Sequence, residues 1–229
     1  MIYLFLMFYS LICFVSREMI PLSLMINGYL YIIVMYFVFP YVVAWYIKKT
    51  KKNIYYCNKI KKNIYITDAL IVKGGLSIYL PINKEAVYAI SEKSFKHLTN
   101  EELDFLIFHE KAHIIYRDQI NNMISFFTVI YVNPIILTFI SSLGFVKKYI
   151  VIYLIFAVVF YLFLFVLHFY RTRLKEMRAD YYASVNTSIS TGMSTLQKLS
   201  GIYELREKTF NALATHPSVS SRIDYLNKN

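Results

Sequence analysis

Hydrophobic positions fall into long uncharged blocks set apart by short charged segments, and the lengths of those blocks predict membrane helices. Residues 2–16 carry no charge and end at Arg17-Glu18. They fall short of the roughly 20 residues that a bilayer asks for, so they are read as a first membrane helix, tilted or partly interfacial. Residues 19–47 are uncharged throughout and make a second span, with Pro21 near its start and Pro40 as a candidate kink. Residues 124–146 and 149–170, joined by Lys147-Lys148, form a membrane hairpin that supplies spans three and four.

Between and after these blocks the pattern changes. Residues 64–72 and 76–80 are rich in β-branched and aromatic side chains and flank Lys73-Gly74-Gly75, which predicts a β-hairpin. Residues 85–97 are read as a helix. Thr99 followed by Glu102 forms a capping box, predicting a helix that runs to about Asn121. Its many charges, from Glu101 to Asp118, place it beside water. Residues 173–183 continue span four as a helix. Residues 191–208 form an amphipathic helix with Met193, Leu196, Leu199, Ile202 and Tyr203 inward. Thr215-His216-Pro217 opens a last short helix with proline in its first turn. The expected architecture is an α+β membrane protein with about four transmembrane helices. Two spans lie in 1–47, the first part of a water-exposed domain in 48–123, a membrane hairpin in 124–170 and the second part of that domain in 171–229.

Composition agrees with a membrane protein. The chain is 57% hydrophobic over 229 residues, against roughly 45–50% apolar in soluble domains. The net charge of +11 is read as topology and not as nucleic-acid binding, because the basic clusters abut apolar runs. Lys48, Lys49, Lys51 and Lys52 follow the second span, and Arg171, Arg173, Lys175 and Arg178 follow the fourth. This bias puts both termini and the water-exposed segments in the cytoplasm, on a cell membrane. Cys13 lies in an apolar run and Cys57 in a basic stretch, so no disulfide is expected, and neither has zinc-site spacing.

Candidate chemistry centres on His109-Glu110-Lys111-Ala112-His113, a His-Glu-x-x-His pattern inside a predicted helix. Four residues are about one helical turn, so both imidazoles share a face and can hold one zinc ion, with Glu110 beside them to take a proton from a water that the ion activates. A third ligand is needed. Glu176 lies just past the membrane hairpin, near the same membrane face, and Asp180 lies one turn further, where it can orient a ligand histidine. Asp118 either orients the motif helix or is a surface carboxylate. His97 and His168 belong to no motif and are read as structural.

The run from Leu98-Thr99-Asn100-Glu101-Glu102-Leu103 into His109-Glu110-Lys111-Ala112-His113-Ile114 and Arg117-Asp118 resembles the HtpX-like membrane zinc metallopeptidases, whose superfamily also contains the CAAX prenyl endopeptidases. Glu176-Met177-Arg178-Ala179-Asp180 is similar to that family's third-ligand motif, and Thr215-His216-Pro217 with Arg222 to its C-terminal motif. The resemblance implies a mainly helical zincin-type (gluzincin-like) catalytic domain with one Zn2+ per chain. It implies His109, His113 and Glu176 as ligands and Glu110 as general base, with His216 and Arg222 steadying the oxyanion or the substrate backbone. It also implies an endopeptidase acting on membrane-associated or unfolded proteins, in membrane protein quality control, with protein substrates and the lipid bilayer as partners. An extended substrate is expected to add as a strand to the exposed edge between residues 64 and 80. The chain departs from the family where an Asn-Ala-Phe/Tyr-like strand start is usual, having Thr67-Asp68-Ala69-Leu70. The alternative reading is a membrane sensor with a peptidase-like domain.

Overall fold

The computed structural model describes residues 9, 10, 13, 22–132, 135–137, 140, 149–203 and 217–228. Helix α1 (Leu22–Ile33) passes through a π-helical stretch, Val34–Val38, into α2 (Phe39–Lys49). Pro40 sits in the first turn of α2. It has no N–H to offer and its ring crowds the carbonyl four residues back, inside the widened stretch. The polypeptide then forms β1 (Lys51–Cys57), β2 (Lys62–Thr67), β3 (Gly75–Leu80) and β4 (Glu85–Ser91), followed by α3 (Glu92–His97) and α4 (Asn100–Ile115). Helix α5 (Asp118–Phe127) continues into a second π-helical stretch, Thr128–Val132. Next come α6 (Ile150–Asn186), α7 (Ile189–Ile202) and α8 (Val219–Lys228).

Among the described residues, Met25–Lys49, Asp118–Leu137 and Ile150–Asn186 are long and apolar enough to cross a membrane. Side chains such as Val151, Ile152, Phe163 and Trp45 are largely exposed, as a lipid-facing surface requires. Most of the first expected span, and the turn at Lys147-Lys148, lie outside the described residues.

The sheet corrects the expected hairpin. Strand order is β1-β2-β4-β3, with β1–β2 and β3–β4 antiparallel and β2–β4 parallel. The segments around residues 64 and 76 therefore never pair with each other, because β4 lies between them. The helix expected over 85–97 is a strand up to Ser91 and a helix only from Glu92. Val87, Tyr88, Ala89 and Ile90 are all buried, so this central strand is covered on both faces and shows no alternation. Ser91 ends the strand and accepts a hydrogen bond from Ser94 N–H, starting α3.

One sheet face carries Ile78, Leu80, Val87 and Ala89 against Ala44 and Ile47 of α2. The other carries Ile64, Tyr88 and Ile90 against Leu103, Leu106 and Ile107 of α4. The sheet is thus a layer between the end of a membrane helix and the helix that bears the His-Glu-x-x-His motif. The turn between β3 and β4 is tied to α2 as well, since Ile82 N–H donates to the Tyr41 hydroxyl at 2.9 Å. On its other side α4 packs along α6, where Ala112, Ala179 and Ala183 are wholly buried. Small residues at that seam let the two helix backbones come close.

Candidate active site

Helix α4 starts where its sequence says it should. The Thr99 hydroxyl accepts from Glu102 N–H at 3.4 Å, and the Glu102 carboxylate accepts from Thr99 N–H at 2.8 Å. Glu102 is also gripped from α7, by Ser194 at 2.6 Å and Lys198 at 2.8 Å. Burial opposes its charge, but the bonds from Lys198, Ser194 and the Thr99 amide outweigh that and hold its carboxyl at about 2, below the ordinary 4.5. The motif helix is therefore fixed at its first turn, two turns before the histidines.

His109 and His113 turn their Nε2 atoms toward each other at 3.2 Å. Glu176 reaches in from α6, with its oxygens 3.7 Å from His109 Nε2 and 3.6 Å from His113 Nε2. Each ring is held from behind. Asp180 accepts from His109 Nδ1 at 2.9 Å, and Asp118 accepts from His113 Nδ1 at 2.9 Å. Each aspartate in turn accepts from an arginine. Arg222 on α8 donates through Nε and Nη2 to the two oxygens of Asp180, both at 2.6 Å, while Arg178 on α6 donates to Asp118 at 2.6 Å. Although desolvation works against ionisation, these partners keep both aspartates below their ordinary range. Asp118 can reach back to His113 because the chain breaks direction at Arg117, which is left-handed at φ 57° and ψ 39° and separates α4 from α5. The single helix expected to run to Asn121 is thus two helices, and the break sets the second ring.

Glu110 lies against the edge of the sheet. A Cβ on Gly75 would come within 2.8 Å of Glu110 Oε1, so only glycine permits this approach. Its neighbour Gly74 is left-handed at φ 86° and makes the turn into β3. The Ser77 hydroxyl donates to the Glu110 carbonyl at 2.9 Å, pinning strand to helix. Among the described residues β3 has one strand neighbour, β4. Ser91 N–H donates to Gly74 O, which with the β3–β4 register turns the amides and carbonyls of Gly75, Ser77 and Tyr79 away from β4. A cleft of about 2180 Å³ runs along this edge, lined by residues 73–78, and continues past His109, Glu110 and His113.

A family model described as Peptidase family M48 matches residues 38–229. The chain belongs to peptidase family M48. Its fold is also similar to the crystal structure of S. mikatae Ste24p, with a TM-score of 0.61, 14% identity and 90% of this chain covered. This M48 chain spans 57% of the length of that one. A search of curated proteins finds no match.

Members of the family are metallopeptidases, and the M48 chain has residues that suit a cation. One donor atom from each of His109, His113 and Glu176 lies within 4.8 Å of the others. Ligands at about 2.0–2.1 Å from a tetrahedral zinc stand about 3.3–3.4 Å apart, close to the 3.2, 3.6 and 3.7 Å found here. With both Nδ1 atoms donating to carboxylates, both Nε2 lone pairs point inward. The surroundings also favour positive charge. Burial of His113 disfavours the imidazolium, yet the Asp118 bond and the charges of Glu110, Glu176 and Asp118 raise its pKa to about 9.

The structure therefore brings together His109, Glu110, His113, Glu176, Asp180 and Arg222 from three stretches of sequence. His216 lies outside the described residues. His168 shares a hydrogen bond with the Ser125 hydroxyl and lines the cleft, and His97 Nδ1 donates to the Lys93 carbonyl; neither joins the cluster. Asp68 pairs with Lys52 on the surface. Sequence reasoning gave Gly75 only a place in a turn, gave Ser77 and Gln119 no role, and did not pair Asp118 with Arg178. The Gly74-Gly75 pair was the one available signal, because a glycine entering a strand marks a bulge or a close approach.

Proposed function

We propose that the chain is an integral-membrane zinc-dependent endopeptidase of the gluzincin type, acting on unfolded or membrane-associated segments in membrane protein quality control. The observation that carries this reading is the His109–His113–Glu176 cluster at tetrahedral spacing, with the Glu110 carboxylate between it and an unpaired strand edge. A zinc held by those three residues would act as a Lewis acid and lower the pKa of a water to about 7. Glu110 takes a proton from the attacking water at its carboxylate and passes it to the leaving amine. Its position against Gly75 supports this role, since a substrate paired on β3 runs directly past it. Asp180 and Asp118 keep both rings in the tautomer that offers Nε2. Arg222 spends Nε and Nη2 on Asp180, so we assign it to positioning His109, and leave oxyanion contact to His216. The outward groups of Gly75 and Ser77 bind an extended peptide through main-chain hydrogen bonds. The lysines beside α2 and the arginines of α6 support a cytoplasmic catalytic face and four spans in all. The test is casein cleavage in detergent. The wild type should cleave and lose cleavage with chelator, while Glu110→Gln should retain the metal and lose at least about 100-fold in rate. Wild-type rates from Glu110→Gln would remove Glu110 as the base.

A further inference from the structure

The edge of β3 is not open along its whole length. Gly75, Ser77 and Tyr79 all face away from β4, but Tyr79 already has a partner. Its N–H donates to Gln119 Oε1 at 2.9 Å, and its carbonyl accepts from Gln119 Nε2 at 3.3 Å. A side-chain amide offers one acceptor and one donor side by side, the same pair that a residue of an adjoining strand offers. Gln119 therefore occupies Tyr79 as a paired peptide would. Gln119 itself lines the cleft, whose strand residues end at Ile78, so it stands in the path of a chain laid along the edge. Gln119 is held there by the geometry of the site itself. It follows Asp118 in the first turn of α5, immediately after left-handed Arg117, so the turn that brings Asp118 to His113 also carries Gln119 to the strand edge.

Resting on the peptidase reading above, we infer that Gln119 is an end-stop for the substrate strand, and so a specificity-determining residue. Main-chain pairing begins at Gly75, beside Glu110, and is available again at Ser77. It ends before Tyr79, about 14 Å from Gly75 at the usual antiparallel rise. On that side of the cleaved bond, the enzyme recognises only a short extended run, and the chain beyond it must leave the sheet. Substrates with a turn, a proline or a membrane-inserted segment a few residues from the cleaved bond on that side are therefore tolerated, because nothing further is asked of their backbone.

The experiment uses full-length protein in detergent and a casein-derived peptide that the wild type cleaves, lengthened two residues at a time from either end. For the wild type, KM should stop falling at one end once the Ser77 pair is made. For Gln119→Ala, the ratio of kcat/KM between the longest and shortest peptides of that series should rise about tenfold over wild type, as two main-chain bonds become available. The change should lie in KM and not in kcat. Gln119→Glu still accepts from Tyr79 N–H but cannot donate to its carbonyl, so its ratio should fall between the two. A purely structural role would lower all lengths alike and leave the ratio unmoved. An unchanged ratio in Gln119→Ala, or a wild type whose KM keeps falling with length at both ends, overturns the stop while leaving the peptidase reading intact. Absence of chelator-sensitive cleavage by the wild type removes both.

Discussion

His109 and His113 each turn Nδ1 to an aspartate that an arginine grips, but the two supports are built differently. Asp118 lies five residues from His113, just past the end of the same helix, and Arg178 leaves 40% of its side chain in solvent. Arg178 also stacks on Tyr116, with its guanidinium carbon 3.9 Å from the ring centroid. Asp180 is 71 residues from His109, has no exposed side chain, and receives both nitrogens of an Arg222 that is only 15% exposed. The first support is local at its aspartate and partly exposed at its arginine. The second is remote and dry, and it ties α4, α6 and α8 into one unit. The same hydrogen bond at Nδ1 thus serves two ends, setting one imidazole within a turn and locking three helices around the other.

The contrast predicts unequal consequences. Asp180→Ala leaves Arg222 charged, buried and unpaired, and should cost about 3–5 kcal/mol in denaturant unfolding of the detergent-solubilised chain, together with most of the metal. A loss below about 1 kcal/mol would mean that α8 is not held this way. Asp118→Ala frees Arg178 to turn into water, so the expected effect is confined to the site. Competition with a chelating dye should show metal affinity lower by roughly 10–100-fold, with little change in unfolding.

Glu102 extends the comparison to a buried carboxylate outside the site. Its pKa is lowered from 4.5 to about 2 on folding, so its stabilisation is complete above pH 4.5 and lost as pH falls toward 2. Glu102→Gln should cost about 1.5–3 kcal/mol at neutral pH and flatten the acid side of the stability curve. An unaltered acid slope would show that the Lys198 and Ser194 contacts contribute little. The smallest effect belongs to Arg178→Lys, which keeps a charge near Asp118 and loses only an exposed stack, about 1 kcal/mol or less. A penalty equal to that of Asp180→Ala would erase the distinction between the two supports.

The same distinction explains what could be read from the chain. The capping box at Thr99, the His-Glu-x-x-His turn and the Glu176–Asp180 spacing are all visible within five residues, because helices bring such positions together by period alone. The parallel β2–β4 pairing was not visible. It joins segments more than 20 residues apart, and its buried central strand lacks the alternation that marks a half-exposed one. β1, rich in lysine, looked like a juxtamembrane charge cluster and is an edge strand. The pairing of Arg222 with Asp180, the fit of Gly75 against Glu110 and the Gln119 amide on Tyr79 all cross between elements, and side-chain chemistry alone does not say which elements will meet. Arg117 breaks the motif helix without glycine or proline to announce it.

The central claim is that a carboxylate from the helix past the membrane hairpin completes a metal site begun by two histidines on another helix. Elemental analysis of purified wild type and Glu176→Ala, both exhaustively dialysed after zinc loading, tests it directly. The prediction is one zinc per wild-type chain and under about a tenth of that in the variant, with both chains folded. Equal zinc in the two proteins would contradict it.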